Sequence, residues 1–392
     1  MRRNSMKQPV IVSAVRTAIA KQGGTLASID PSVYGAIVIK EAVKRAGIKE
    51  EEIEDVIFGN CLAGGGNMAR LTLLEAGLPI SIPGLTIDRQ CGSGINSVAL
   101  AADQIRAGRG EVFLAGGTES MSRSPHLLAP QARAYDHMPP QFVKRKLSPD
   151  WIGDPPMGIT AENLAEKYEI SRAEQDEFAL RSQRNMQAAM ESGYFTEQIV
   201  PVPITNRKGE TQLFDQDEHP RANLTLENLT KLSPVFKKGG SVTAGNSSGV
   251  NDGASAIVLM TEDLATEKGV EVLAKVKDWA VAGVDPSIMG IGPVPAIQKV
   301  LQRTGLSLDD FDLIEFNEAF AAQVLACNRE LSMDLEKVNV NGGAIAHGHP
   351  IAATGSMLVT KLVYEMKRRD AKRGLVAACI GGGQGIALVL ER

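Results

Sequence analysis

One stretch of this chain reads like another 258 positions further on. The segment Ile39-Lys-Glu-Ala-Val-Lys-Arg-Ala-Gly47 lies over Ile297-Gln-Lys-Val-Leu-Gln-Arg-Thr-Gly305, so Ile39, Ala42 and Val43 fall on Ile297, Val300 and Leu301. That is an i, i+3, i+4 face in both copies and predicts an amphipathic helix in each, closed by a glycine at the position after the helix end. At the same offset Ile53-Glu-Asp-Val-Ile-Phe58 lies over Phe311-Asp-Leu-Ile-Glu-Phe316, a strand in each copy. With no gap, Cys91 then falls on His349. A duplicated unit with two chemically capable residues at matching places is the strongest constraint that the sequence carries.

Further on the register drifts by a few residues. Gly110-Glu-Val-Phe-Leu-Ala-Gly-Gly117 matches Gly374-Leu-Val-Ala-Ala-Cys-Ile-Gly381, a buried strand running into a glycine turn. The second copy returns at once through Ile386–Leu390, whereas the first finds its corresponding strand only at Ala254–Leu259. The intervening insertion, Thr118 to about Asn251, holds a Pro- and Met-rich stretch from Met121 to Met157. It also holds a helix opened by the capping box Ser171-Arg-Ala-Glu174 and stopped at Gly193. The expectation is an α/β chain with an N-terminal half over 1–270, carrying an inserted region at about 118–251, and a C-terminal half over 271–392.

Composition narrows the function. A formal charge of −4, with 42 Lys+Arg against 46 Asp+Glu scattered along the chain, leaves no basic footprint for nucleic acid. No apolar run approaches the roughly 18 residues that span a bilayer. The opening Met1-Arg2-Arg3-Asn4-Ser5-Met6 lacks the apolar core of a signal peptide, and Leu390-Glu391-Arg392 is not a retention or peroxisomal address. A cytoplasmic protein that binds neither membrane nor nucleic acid is expected. Four cysteines, Cys61, Cys91, Cys327 and Cys379, form neither a disulfide framework nor a CxxC zinc site. Glycines bunch at Gly64-Gly65-Gly66, Gly342-Gly343 and Gly381-Gly382-Gly383, where backbone approaches something closely.

Cys91-Gly92-Ser93-Gly94 follows the strand-like Leu85–Ile87 and precedes a helix with the apolar face Ile95, Val98, Ala102, Ile105. A thiol there feels the positive end of the helix dipole, which favours thiolate; the bland alternative is a small buried cysteine at a tight turn. His349, between Gly348 and Pro350, suits a general base held on a stiff turn, or a turn histidine bonded to backbone, the reading that fits His347 better. His126, His137 and His219 lie in the insertion, and the pair His347 and His349 has no carboxylate or thiol nearby in sequence, so no metal site is expected. Cys379 ends the apolar run Leu375–Ile380 and reads either as a core cysteine or, beside the Gly381–Gly385 backbone, as an acid/base. Asn317 is either a polar site residue or the cap of the following helix. Cys61 and Cys327 are assigned to packing.

Taken together, Cys91-Gly-Ser-Gly, Asn317-Glu-Ala-Phe-Ala321, Asn341-Gly-Gly-Ala-Ile-Ala-x-Gly-His349-Pro350 and Cys379-Ile-Gly-Gly-Gly-x-Gly385 resemble the signature set of the thiolases, the acetyl-CoA C-acyltransferases. Weaker matches at Val12–Thr17, Gly116–Met121, Met157–Asn163 and Val242–Gly249 carry the resemblance over nearly the whole chain. It implies the thiolase fold: duplicated βαβαβαββ halves in a five-layered arrangement with an inserted loop domain. It implies that Cys91 is acylated by an acyl-CoA while His349 takes the thiol proton, and that Cys379 serves as base or acid at the second substrate. It further implies one oxyanion hole from His349 with a water held by Asn317, and another from the backbone amides of Cys91 and Gly381. Met157, Ala244 and Ser248 match coenzyme A contacts, with Arg221 toward the adenine nucleotide end. Coenzyme A is then a substrate, no cofactor is permanently bound, and the assembly is a homodimer or homotetramer.

The chain departs from the family pattern at Ala18 and Ala20, at Pro156 where the biosynthetic acetoacetyl-CoA thiolases carry His, at His347, and at Ala352 where Gly is usual. None removes a catalytic group. The rival readings are a decarboxylating ketoacyl synthase of the same superfamily, which needs no second cysteine, and a silent acyl-CoA-binding protein on the same fold.

Overall fold

The computed structural model describes residues 6–62, 66–131, 133 and 139–392. Met1–Ser5, Gly64, Gly65 and His137 lie outside the described residues. One ten-stranded sheet, to which Ala20–Lys21 adds beside Asn251–Thr261, is made of two halves, each a sheet in itself, that meet edge to edge. The first runs Gly84–Ile87, Asp55–Gly59, Val112–Ser120, Asn251–Thr261, Pro9–Arg16, and the second runs Ala274–Gly283, Gln384–Glu391, Arg373–Ile380, Leu313–Phe316. Only Val10 opposite Lys275 and Ile11 opposite Ala274 join them. Apart from this seam, each strand of the second sheet has a counterpart at the same place in the first.

The helices complete five layers, because each sheet must bury both faces. Pro31–Ala46 and Met68–Glu75 cover the outer face of the first sheet, with Val38, Ile39, Ala42 and Leu73 in one core. Pro293–Thr304 and Ala321–Leu331 cover the second, with Ile297, Val300 and Val324 in another. Between the sheets lie Ser93–Arg106 and Ile351–Arg369, whose Ile95, Val98, Ala102 and Ile105 share a third core with Leu358, Val359, Leu362 and Met366. Each buried aliphatic side chain there contributes roughly 1.5–3 kcal/mol. The predicted repeat helices end as expected: Gly47 and Gly305 take φ of 62° and 71°, which glycine adopts without a Cβ penalty.

The two central helices cross at glycine. A Cβ on Gly94 would lie 2.4 Å from the Ser356 amide nitrogen, and one on Gly355 would lie 2.4 Å from that of Ile95. This close approach draws together the two helix starts, where Cys91 and His349 stand.

Three features differ from the sequence reading. Gly116 and Gly117 do not turn; they stay in the strand Val112–Ser120, held extended by pairing with Ala256 and Ser255. The insertion therefore leaves after Ser120 and returns at Asn251. The strand that would complete the second sheet is reduced to one parallel bridge between Ile314 and Val338. Within the insertion the capping box forms as expected, Ser171 Oγ accepting from Glu174 N–H at 3.2 Å and Glu174 Oε2 from Ser171 N–H at 2.8 Å. Its helix Arg172–Glu191 stops before Gly193 at φ 71°.

Candidate active site

Cys91 sits in a single 3-10 turn, Gln90–Gly92, on which the central helix Ser93–Arg106 is built. Gln90 has φ 44°, an uncommon conformation for a residue with a side chain. Asp88 Oδ1 holds it, accepting from the Gln90 N–H at 2.9 Å and from its Nε2 at 2.8 Å. Gly92 lets the two halves approach closely: a Cβ would lie 2.5 Å from Ile380 Cδ1, on the strand that carries Cys379, and would force that side chain to shift. The first half's nucleophile candidate is thereby pressed against the second half's strand end.

The expectation of a resting thiolate is not met. Burial pushes the Cys91 thiol up to about 11, while the backbone N–H groups of Gly381 and of Cys91 itself pull the other way and the buried Glu119 and the exposed Asp88 add to the rise. Desolvation thus outweighs the helix dipole. Those two amides are the pair that the resemblance implied for an oxyanion hole. Gly381 is also met by the insertion, since a Cβ there would lie 3.0 Å from Leu147 Cδ1 and 3.7 Å from Met157 Sδ.

His349 begins the equivalent central helix. Gly348 turns at φ 99° and Pro350 follows, so His349 is fixed at the entry to Ile351–Arg369. Its backbone N–H donates to Asn251 Oδ1 at 2.9 Å, its Nδ1 lies 2.7 Å from Thr354 Oγ1, and its Nε2 lies 3.4 Å from Asn317 Nδ2. Burial lowers the imidazole to about 4, so the ring is neutral near pH 7. Neutral thiol and neutral imidazole are the resting forms. His347, by contrast, points its Nδ1 to the Gly348 carbonyl at 2.8 Å and is held well below the ordinary range by burial and by Lys361 and Arg16. That is the backbone-bonded turn histidine anticipated for it.

Asn317 follows the strand Leu313–Phe316 and does not cap a helix, because the next one starts only at Ala321 with Phe320 before it. Its N–H donates to the Ala377 carbonyl at 2.9 Å, and its side-chain Oδ1 is buried with no partner. Glu318 anchors the loop beyond: its Oε2 accepts from Ser182 Oγ at 2.7 Å and from Ile345 N–H at 3.2 Å, and its Oε1 from Asn339 Nδ2 at 2.7 Å.

Cys379 is buried at the end of Arg373–Ile380 among Ala161, Val242, Met289, Ala319 and Phe320, with Met157 against this group. Burial, and the proximity of Cys91, push its thiol well above the ordinary value. Cys327 is a packing residue as expected, its thiol donating to the Gly290 carbonyl at 3.2 Å. Cys61 also packs, but at the site's edge, 3.4 Å from Ser93 Oγ.

The residues assigned to coenzyme A are less concentrated. Met157 opens the helix Met157–Lys167 beside Cys379 and Gly381, with Pro156 exposed just before it. The 244–248 loop is tied to the site, since Ser248 N–H donates to the Ala319 carbonyl at 2.9 Å, and Ala244 is exposed on it. Arg221 is exposed, and its N–H donates to Gln183 Oε1 at 3.0 Å; among the described residues no hydrogen bond or ion pair joins it to the catalytic group. Among the described residues no cluster of His, Cys, Asp and Glu could hold a metal ion.

With this geometry in place, comparison with known proteins is decisive. Residues 9–263 match the family model described as "Thiolase, N-terminal domain", and 270–392 match "Thiolase, C-terminal domain". This chain belongs to the thiolase family. It is 52% identical over 393 residues to an acetyl-CoA acetyltransferase of Escherichia coli, covering 99% of this chain and 100% of that one. The crystal structure of the Bacillus anthracis acetyl-CoA acetyltransferase superposes with a TM-score of 0.93 at 47% identity, covering 99% of each chain. Human mitochondrial 3-ketoacyl-CoA thiolase in complex with CoA superposes with a TM-score of 0.91 at 42% identity, covering 98% of each. The thiolase fold expected from the repeat and the motifs is therefore the fold of this chain.

Sequence reasoning missed several members of the thiolase site. Thr354 and Asn251 hold His349, and Asp88 holds the turn before Cys91. Glu119 is buried and accepts from Cys61 N–H at 3.1 Å, Leu62 N–H at 3.0 Å and, across the halves, Ala352 N–H at 3.3 Å. The buried Ala352 methyl is thus accommodated in the first turn of the helix. Thr354 had a local signal, a hydroxyl in the helix turn that follows His349, and Glu119 stood inside the family match at Gly116–Met121 without a role read for it; Asn251 had no signal, being distant in sequence.

Proposed function

We propose that this enzyme transfers acyl groups between acyl-CoA and CoA or acetyl-CoA through an acyl-Cys91 intermediate, as acetyl-CoA acetyltransferase or 3-ketoacyl-CoA thiolase. The observation that carries the reading is the meeting of the two halves at the site: Gly92, next to Cys91, packs against Ile380, next to Cys379, and His349 Nε2 lies 3.4 Å from Asn317 Nδ2. The backbone N–H groups of Cys91 and Gly381, which both lower the Cys91 thiol, are the donors implied for the thioester oxygen.

In the first half-reaction the Cys91 sulfur attacks the thioester carbonyl while His349 Nε2 takes its proton. The tetrahedral intermediate collapses, Cys91 is acylated, and CoA leaves with the proton of the Cys379 thiol, which becomes a thiolate while His349 keeps the Cys91 proton. In the second, the Cys379 thiolate removes a proton from the α-carbon of acetyl-CoA, the carbanion attacks the acyl-Cys91 carbonyl, and the departing Cys91 sulfur takes its proton back from His349. In the thiolytic direction Cys379 returns that proton. The unpartnered Asn317 Oδ1 supports the implied bound water opposite His349.

Met157, Ala244, Ser248 and Arg221 are assigned to coenzyme A, with no other cofactor held. The catalytic halves are taken as 1–270, carrying the insertion, and 271–392, and the enzyme as a cytoplasmic homodimer or homotetramer. No helix among the described residues is long and apolar enough to cross a membrane.

The test is CoA-dependent cleavage of 3-ketoacyl-CoAs of graded chain length, beside Cys91→Ala. Cleavage of the shortest substrate alone marks an acetoacetyl-CoA thiolase despite Pro156, and a broad profile a degradative one. Cleavage by wild type and its loss in Cys91→Ala are expected. Full activity in Cys91→Ala, or condensation of malonyl thioesters with acetyl-CoA inert, defeats the reading.

A further inference from the structure

We propose that Thr354 sets the tautomer of His349, holding the proton on Nδ1 so that Nε2 is the bare nitrogen facing the site; this rests on the reading of His349 as the base toward Cys91. Both ring nitrogens meet one neighbour each, and the two neighbours agree. Thr354 Oγ1 lies 2.7 Å from Nδ1 and donates its single proton to the Pro350 carbonyl at 3.0 Å. With the hydroxyl proton turned to that carbonyl, which the Ala353 and Thr354 N–H groups also reach, only lone pairs face Nδ1, and Nδ1 then brings the hydrogen. On the far side Asn317 turns its Nδ2, a donor, toward Nε2 at 3.4 Å, which asks Nε2 to accept.

The arrangement is built into the helix start. Thr354 is in the first turn of Ile351–Arg369, and its N–H also donates to the Pro350 carbonyl, at 2.9 Å. It is buried, so no bulk water replaces its hydroxyl. Asn251, the first residue of a strand of the opposite half, fixes the His349 backbone N–H. With backbone and Nδ1 both held, the ring has one orientation and one protonation pattern. Which nitrogen carries the proton is decided by the bond the other one makes. A histidine in the opposite form presents N–H to the thiol and cannot take its proton. Thr354 is thus a positioning residue that acts through His349.

The experiment is long-range ¹H–¹⁵N spectroscopy of the intact enzyme labelled at histidine, with the His349 signals assigned by their loss in His349→Asn. Only five histidines are present, which makes the assignment direct. Wild type should show the Nδ1–H form. Thr354→Val, close to the same shape without the hydroxyl, should move His349 toward the Nε2–H form, and Thr354→Ser should restore it. The rate of Cys91 acylation by acetyl-CoA should fall about 10- to 100-fold in Thr354→Val, with KM little changed, and recover in Thr354→Ser; a wholly misplaced tautomer costs up to about 10⁴-fold in a serine protease. An Nε2–H signal in wild type, with the Asn317 amide turned the other way, overturns the proposal. So does a tautomer that Thr354→Val leaves unchanged. A tautomer that follows Thr354 while acylation stays at the wild-type rate upholds the assignment and removes His349 from the base role.

Discussion

The starts of the two central helices occupy matching places in a duplicated fold and have been made unlike. At the first, Cys91 stands on a 3-10 turn with Gln90 in a left-handed conformation, and the backbone N–H groups of Gly381 and of Cys91 itself act to lower its thiol against burial. At the second, His349 follows Gly348 and is gripped by side chains: Thr354, Asn317 and Asn251. The duplication supplies two helix termini drawn together by the Gly94–Gly355 crossing. Divergence supplies the chemistry, because two thiols or two imidazoles at that meeting point would lack either a base or a nucleophile. The same contrast runs through the sheets. The second half closes its last two strands by a tight Gly381–Gly383 turn, whereas the first opens between the equivalent strands to admit residues 121–250, which reach back over Gly381 through Leu147 and Met157.

The comparison can be broken at the crossing. Gly355→Ala places a methyl against backbone that cannot yield easily, and overpacking of this kind costs about 1–3 kcal/mol. The urea midpoint should fall accordingly, with the unfolding slope unchanged; an unaltered midpoint would mean that the helices do not depend on this approach. It can be sharpened at the nucleophile. A thiol held at about 11 is protonated throughout the neutral range, so alkylation of ligand-free Cys91 by iodoacetamide should rise about tenfold per pH unit from pH 7 to 9. A plateau below pH 8 would contradict the dominance of burial over the helix dipole.

Much of this was legible because local pattern and chemistry coincide. The i, i+3, i+4 faces at Ile39 and Ile297, the closing glycines and the alignment of Cys91 with His349 record a duplication whose geometry the fold keeps. The capping box at Ser171 was readable for the same reason, being complete within four residues. What escaped depends on contacts between distant segments. Gly116 and Gly117 read as a turn, and only pairing with Ala256 and Ser255 keeps them extended. The raised Cys91 thiol follows from burial by the second half, which no residue near Cys91 announces. Glu119 and Asn251 reach the His349 helix from the first half across more than 200 and about 100 positions; Glu119 stood inside the family match at Gly116–Met121, but nothing there announced its contact with that helix.

The central claim is that nucleophile and base come from opposite halves and act on one proton. Rapid-quench labelling with acetyl-CoA, located by peptide mass analysis, tests it in wild type and in His349→Ala. The expected result is acetyl on Cys91 in both, formed about 10²- to 10⁴-fold more slowly in His349→Ala, the range spanned by a positioned general base. Label on Cys379 in place of Cys91, or labelling of Cys91 at the wild-type rate without the imidazole, would contradict it.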